Sequence, residues 1–240
     1  MKAVILAGGK GTRLAPYTTV FPKPLVPLGH RPILDIIIRQ LAHYGFDDVV
    51  LTVGYLAELI QAYFQTAQGA LPTNVRLSYV REPEPLGTAG SLRLIDGLDE
   101  PFLVMNGDVL TSLNYAQMAE FHKANDNALT ICVFDKHIRL DLGVIDMDGS
   151  GAVVGYREKP TLAFPVSAGI YIYSPCVLDY IPRGERMDFP GLVLRLLADG
   201  HKVMGYRCQD FWLDIGNPGD YQRAQEEFEA NPGRFLPGGE

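Results

Sequence analysis

Apolar residues along this 240-residue chain follow two different patterns, and the change comes about halfway. In the first half, residues 3–7, 49–53 and 102–105 are short, almost unbroken apolar runs, as expected of strands covered on both faces in a parallel sheet. Between them the period lengthens. Ile33, Leu34, Ile37, Ile38 and Leu41 recur at i, i+1, i+4, i+5 and i+8, with Pro32 at the entry and Gly45 at the exit, which predicts a helix with one apolar face. A second helix is predicted over about 56–64 and another strand over 75–80. This alternation predicts an α/β fold: a Rossmann-like mixed, mainly parallel sheet flanked by helices, with ligands beyond the carboxyl ends of its strands.

From about residue 128 the elements shorten. Residues 129–134, 142–147, 152–156 and 168–173 are strand candidates, and Asp148-Gly149-Ser150-Gly151 reads as a hairpin turn. Asp188 is expected to cap a helix with Phe189, Leu192, Val193, Leu196 and Leu197 on one face, and Asn217-Pro218 with Asp220 to open a last helix ending near Ala230. No repeat or linker interrupts the chain. We therefore expect one domain over 1–230, with a first half of about 1–127, a small mixed-sheet lid over about 128–230, and a frayed tail at 231–240.

Composition narrows the class. At 47% hydrophobic and 20% charged residues the chain is no disordered segment. Nowhere do about 18 apolar residues run together, and the run at 3–7 is too short for a signal-peptide core, so a cytoplasmic protein is expected. Cys132, Cys176 and Cys208 are odd in number and scattered; buried reduced thiols are expected, and the five histidines show no metal-ligand spacing. Charge is unevenly spread. Residues 1–34 hold Lys2, Lys10, Arg13, Lys23 and Arg31 with no acid, while the other 206 carry 16 cations against 28 acids, a net −12. A cationic start on an acidic chain points to a local anion site and argues against nucleic-acid binding.

The candidate chemistry begins at Gly8-Gly9-Lys10-Gly11-Thr12-Arg13, directly after the first strand. Glycines let backbone N–H groups approach an anion, and Lys10 and Arg13 add positive charge. This is neither a Walker loop, since Gly11 follows Lys10, nor a dinucleotide fingerprint, since Leu14 stands where a small residue is needed. Pro22-Lys23-Pro24 is expected to hold a lysine in an extended, stiff segment. Asn106-Gly107-Asp108 ends a buried strand, and Asp214 follows another apolar stretch. Two carboxylates completed by substrate phosphates and water would satisfy Mg²⁺, which rarely has an all-protein cage.

Six segments stand in the order found in the sugar-1-phosphate nucleotidylyltransferases: 6–14 (LAGGKGTRL), 22–25 (PKPL), 85–90 (PLGTAG), 106–108 (NGD), 158–160 (EKP) and 212–216 (WLDIG). The chain resembles that family over roughly residues 1–228, most nearly its mannose-1-phosphate and heptose-1-phosphate guanylyltransferases. The resemblance implies a nucleotide-binding first half and a sugar-phosphate-binding second half. In it, Leu6, Ala7, Gly8, Gly9, Gly11, Thr12, Gly87 and Thr88 line the nucleotide, Arg13 and Lys23 hold its phosphates, and Asp108 and Asp214 bind Mg²⁺. Arg13, Lys23 and Asp108 are the implied catalytic residues. Gly143, Glu158, Lys159 and Ser167 fall on the sugar-phosphate side, where Leu142 replaces an aromatic and Ser167 replaces an asparagine common in the family. Some relatives append a β-helix of hexapeptide repeats; with 24 residues after Gly216, none is expected here.

The resemblance also puts Glu82 against the base. An ionised carboxylate only accepts, and guanine offers adjacent N1–H and N2–H donors, so GTP is favoured over dTTP. The expected partners are thus an NTP and a sugar 1-phosphate, with neither nucleic acid nor membrane, and a homo-oligomer is compatible with the sequence. Two rivals carry less weight. A glycosyltransferase on a similar sheet would want Asp-x-Asp at a strand end, where this chain has Asn-Gly-Asp; a non-catalytic paralogue would be expected to lose Arg13 or Lys23.

Overall fold

The computed structural model describes residues 1–66 and 69–238. Among these the first half runs β1 (Lys2–Ala7), β2 (Pro27–Leu28), β3 (Arg31–Pro32), α1 (Ile33–His43), β4 (Asp48–Val53), α2 (Ala57–Phe64), β5 (Arg76–Arg81), α3 (Gly87–Gly90), β6 (Phe102–Asn106), β7 (Val109–Thr111) and α4 (Tyr115–Ala124). The second half runs β8 (Leu129–Arg139), β9 (Val144–Met147), β10 (Val153–Arg157), β11 (Thr161–Tyr173), α5 (Phe189–Ala198), β12 (Val203–Arg207), β13 (Trp212–Asp214), α6 (Pro218–Ala230) and α7 (Pro232–Phe235).

Seven strands form the central sheet in the order β12-β8-β11-β6-β1-β4-β5, and β11 alone runs against the rest. The mainly parallel α/β sheet is as expected. Side chains alternate between its faces at the two-residue strand period. Ala3, Ile5 and Ala7 pack into a core with Leu103, Met105 and the helix α1, whereas Val4 and Val104 join Leu192 and Leu196 of α5 on the other face. The chain departs from β1 to β4 on one side and continues through β6 on the other, which makes the β1–β6 gap a switch point where loops diverge and a crevice opens.

The tertiary fold alters several expectations. Helix α1 is buried around most of its girth, Ile36, Asp35 and Gln40 included; Arg31 and Arg39 pair with Asp35, and Gln40 donates to the Thr111 carbonyl at 2.7 Å. Satisfied polar groups can be buried at small cost. Strand β11 starts seven residues before its predicted span because its outer part is exposed and carries no apolar period. Helix α4 was not anticipated. Its buried positions Tyr115, Met118, Ala119 and His122 do have helical spacing, but His122 reads as polar and is accepted inside by Thr130 and Ser174 at 2.9 and 3.0 Å.

Two further expectations fail. The described part of the tail is ordered, with Pro232–Phe235 forming α7, because Phe235 and Leu236 are buried against the core and Phe235 stacks near Phe228; residues 239–240 lie outside the described residues. Cys176 is exposed in the turn after β11, whereas Cys132 and Cys208 are buried.

Candidate functional site

The pairing of β1 with β6 sets Leu6 beside Asn106, and Gly107 donates its N–H to the Leu6 carbonyl at 3.0 Å. The loops that leave both strands therefore open into one cleft at their carboxyl ends. Its volume is about 240 Å³, and Leu6, Ala7, Gly9, Gly11, Thr12, Arg13, Lys23, Pro24, Gly107 and Asp108 line it. Gly11 must be glycine on two counts. Its φ is +62°, and a Cβ there would stand 2.9 Å from the Lys23 Cβ.

Lys23 differs from its expected setting. Pro22 is extended, but Lys23 to Leu25 close a single 3-10 turn, and the lysine side chain is only 10% exposed. That turn points it into the cleft, where it pairs with Oδ2 of Asp108. The second carboxylate arrives from far along the chain. Strand β13 pairs antiparallel with β7, setting Asp214 opposite Val109, and the Ile215 N–H donates to the Asp108 carbonyl at 3.0 Å. Burial, then the neighbouring Asp108 carboxylate, holds the Asp214 carboxyl above its ordinary pKa, against the pull of Lys23 and Arg13. Arg13 approaches from the other side: its Nη1 comes within 3.4 Å of where a Cβ on Gly216 would stand.

The two aspartates fit a divalent cation. Asp108 Oδ1 is buried with no hydrogen-bond partner, and a carboxylate with raised pKa stands next to it. Among the described residues no cluster of three or more His, Cys, Asp or Glu could hold a metal by itself. Such a site would have to be completed by substrate oxygens and water, the coordination that suits Mg²⁺.

Gly8, Glu82, Gly87 and Thr88 sit outside this lining, Glu82 on the loop after β5 and Gly87 and Thr88 in the first turn of α3. A Cβ on Gly8 would come 3.1 Å from Glu82 Oε1, so the missing side chain of Gly8 leaves room for the carboxylate to face the glycine loop. Its other oxygen, Oε2, accepts the Leu86 N–H at 3.1 Å. Gly87 has φ +78° and no space for a side chain against Met187 and Asp188. The expected side-chain cap on α5 is exchanged: the Asp188 carboxylate makes no cap bond to its own helix and accepts the Thr88 N–H at 3.4 Å, while the Thr88 hydroxyl oxygen accepts the Phe189 N–H at 2.8 Å.

Gly143, Glu158 and Lys159 lie on the β9–β10 side of the molecule, and Ser167 lies on β11. The Ser167 hydroxyl is 3.0 Å from the Tyr171 hydroxyl, and the Tyr171 ring stacks on Phe189 at 4.0 Å. The four are not part of the 240 Å³ cleft. Pro24 and Gly107 line the cleft as well, inside the PKPL and NGD segments but with no residue type that marks them as cleft residues. Trp212 adds a support that its sequence position does not reveal: its indole donates to the Ala168 carbonyl at 2.8 Å and ties β13 to β11.

Comparison with known proteins gives a consistent picture. The chain is 38% identical over 233 residues to a probable mannose-1-phosphate guanylyltransferase 3 of Oryza sativa subsp. japonica, covering 92% of this chain and 63% of that protein. It is 33% identical over 244 residues to a UTP–glucose-1-phosphate uridylyltransferase of Synechocystis, covering 93% and 62%. The chain thus spans a little under two thirds of these curated relatives. Among solved structures, HddC from Yersinia pseudotuberculosis complexed with GMP-PN matches with a TM-score of 0.70 at 27% identity, over 95% of this chain and 99% of that one. The family model for nucleotidyl transferases matches residues 2–231, nearly the whole length. With the glycine loop, the buried lysine and the paired aspartates in place, the chain belongs to the nucleotidyl transferase family.

Proposed function

We propose that this chain is a Mg²⁺-dependent sugar-1-phosphate nucleotidylyltransferase that joins GTP to a mannose- or heptose-type sugar 1-phosphate. The phosphate oxygen of the sugar attacks the α-phosphorus in line, the new P–O bond forms as the bond to the β-phosphate oxygen breaks, and pyrophosphate leaves. The supporting observation is the convergence of Arg13, Lys23, Asp108 and Asp214 around one glycine-lined cleft. A phosphate monoester, with a second pKa near ~6, is largely dianionic at neutral pH, so no general base is required. The cleft lining, with no histidine or cysteine, agrees.

In this reading, backbone N–H groups of Gly9 and Gly11 and the side chains of Arg13 and Lys23 bind the triphosphate. Lys23 exchanges its Asp108 partner for a phosphate oxygen as the transferring group gathers charge. Asp108 and Asp214 would hold Mg²⁺, which when bound would offset the negative charge of the phosphates. Gly143, Glu158, Lys159 and Ser167 take the sugar phosphate. Glu82 reads the base: among the described residues nothing bonds Oε1, and Oε2 keeps a second lone pair beyond the one given to Leu86, enough for two guanine donors. A uracil or thymine base is the second reading. It needs only one acceptor for its single N–H, and the Synechocystis relative is named for UTP.

Pyrophosphate release measured over four NTPs and a panel of sugar 1-phosphates, with Mg²⁺ and with EDTA, tests this. GTP with a mannose or heptose 1-phosphate is expected to turn over fastest. Lys23→Ala or Asp108→Ala should lower the rate by about 10²–10³. No release with any pair, or near-normal turnover in both variants, would sink the assignment.

A further inference from the structure

The β9–β10 hairpin holds an arrangement that nucleotidyl transfer by the cleft residues does not account for. Tyr156 of β10 is 62% exposed, yet its outer ring lies directly over Gly143. A Cβ on Gly143 would stand 2.1 Å from the tyrosine hydroxyl and 2.5 Å from its Cζ. Gly143 has no positive φ, so the glycine is needed for this contact and not for backbone freedom. The same hydroxyl donates to Glu158 Oε2 at 2.9 Å. The turn beyond is also constrained: Lys159 is held at φ +41°, and the Pro160 carbonyl accepts the Leu140 N–H at 3.0 Å.

We propose that Tyr156 is a positioning residue that fixes the Glu158 carboxylate for reading a sugar hydroxyl; the proposal rests on the assignment of Glu158 to the sugar 1-phosphate. An exposed glutamate otherwise samples many rotamers, and binding must stop that motion at a free-energy cost. A phenol donating to a carboxylate is a charge-assisted hydrogen bond, stronger than one between neutral groups. With Oε2 held, Oε1 is left as the acceptor that the carboxylate can offer to a ligand. The ligand it suits is a pyranose 1-phosphate that offers a hydroxyl donor at that position, and a deoxy analogue there would lose the contact. Phenylalanine at 156 keeps the ring on Gly143 and removes only the hydrogen bond.

The experiment is steady-state kinetics of the wild type, Tyr156→Phe, Glu158→Ala and the double variant, using the sugar 1-phosphate that the wild type prefers. Tyr156→Phe is expected to raise KM for the sugar 1-phosphate about 3–10-fold. It should leave kcat and the NTP KM within about twofold, and in the Glu158→Ala background, where the hydroxyl has no carboxylate to hold, it should add nothing. An unchanged sugar KM, an equal rise in the NTP KM, or an undiminished effect in the Glu158→Ala background would overturn the proposal. A wild type inert with every substrate pair would overturn the assignment of the site and this proposal with it; an active wild type with an unaffected Tyr156→Phe overturns only the proposal.

Discussion

Replacing Lys23 with methionine keeps an unbranched side chain of similar length in the cleft and removes the ammonium group. Asp108 then faces Asp214 with neither of its own oxygens engaged, since Oδ1 already has no partner. Exposed ion pairs contribute about 0.2–1 kcal/mol, and breaking a buried one costs about 3–5 kcal/mol. The lysine and aspartate side chains are 10% and 22% exposed, which puts this pair between those limits. A loss of about 2 kcal/mol is expected. Urea unfolding in EDTA, followed by the fluorescence of Trp212, reads it directly. Trp212 is the sole tryptophan and stands two residues before Asp214. With an m-value of about 3 kcal/mol per molar urea, the midpoint should fall by about 0.7 M. Mg²⁺ should then stabilise the variant more than the wild type, because the cation no longer competes with an ammonium for Asp108; at a hundredfold excess over Kd, mass action supplies about 2.7 kcal/mol. An unchanged midpoint in EDTA would mean the pair is solvated and contributes nothing. A Mg²⁺ response no larger than that of the wild type would refute the shared cation site.

Two other substitutions test the electrostatics. Burial and Asp108 raise the Asp214 carboxyl pKa, so the folded state binds that proton more tightly than the unfolded chain, and stability falls as pH rises through the folded value. Asp214→Asn should therefore be more stable than the wild type at pH 8 in EDTA, with the advantage gone below about pH 3.9, the unfolded value; a less stable variant at pH 8 contradicts the argument. His122 behaves in the opposite sense. Burial pushes its pKa down to about 4, so the unfolded chain takes up a proton below about pH 6.5 that the folded protein refuses, and stability is lost between those values at up to about 1.4 kcal/mol per pH unit. His122→Gln should flatten the fall in urea midpoint over that range, and identical slopes would exclude His122 as its source.

The strands of the switch point were legible because they are buried on both faces. At 3–7, 49–53 and 102–105 nearly every residue is apolar, and runs of four or five residues are too short for a buried helix. The glycine loop, Lys23 and Asp108 were legible for a different reason: special backbone geometry and buried charge demand particular residue types at short, fixed spacings. Where burial is achieved by hydrogen bonding, as at His122 in α4 and Asp35 and Gln40 in α1, a hydropathy pattern understates the core. Where a long strand leaves the core, as at the outer part of β11, the pattern ends before the strand does.

By itself, then, the sequence determined the α/β class, the cationic start that marks an anion site, and most of the residues that line the cleft, because each is marked by residue types at short, fixed spacings along the chain. Tertiary structure decided which distant groups meet. Only the β7–β13 pairing brings Asp214 to Asp108, and only the docking of the Gly87 loop on the α5 entry sends the Asp188 carboxylate to Thr88. Only the β9–β10 register folds Tyr156 over Gly143, where its hydroxyl bonds Glu158. Such contacts are set by strand order and register, which depend on the packing of the whole sheet; a glycine such as Gly143 or Gly87 shows that something approaches closely, and only the fold shows what.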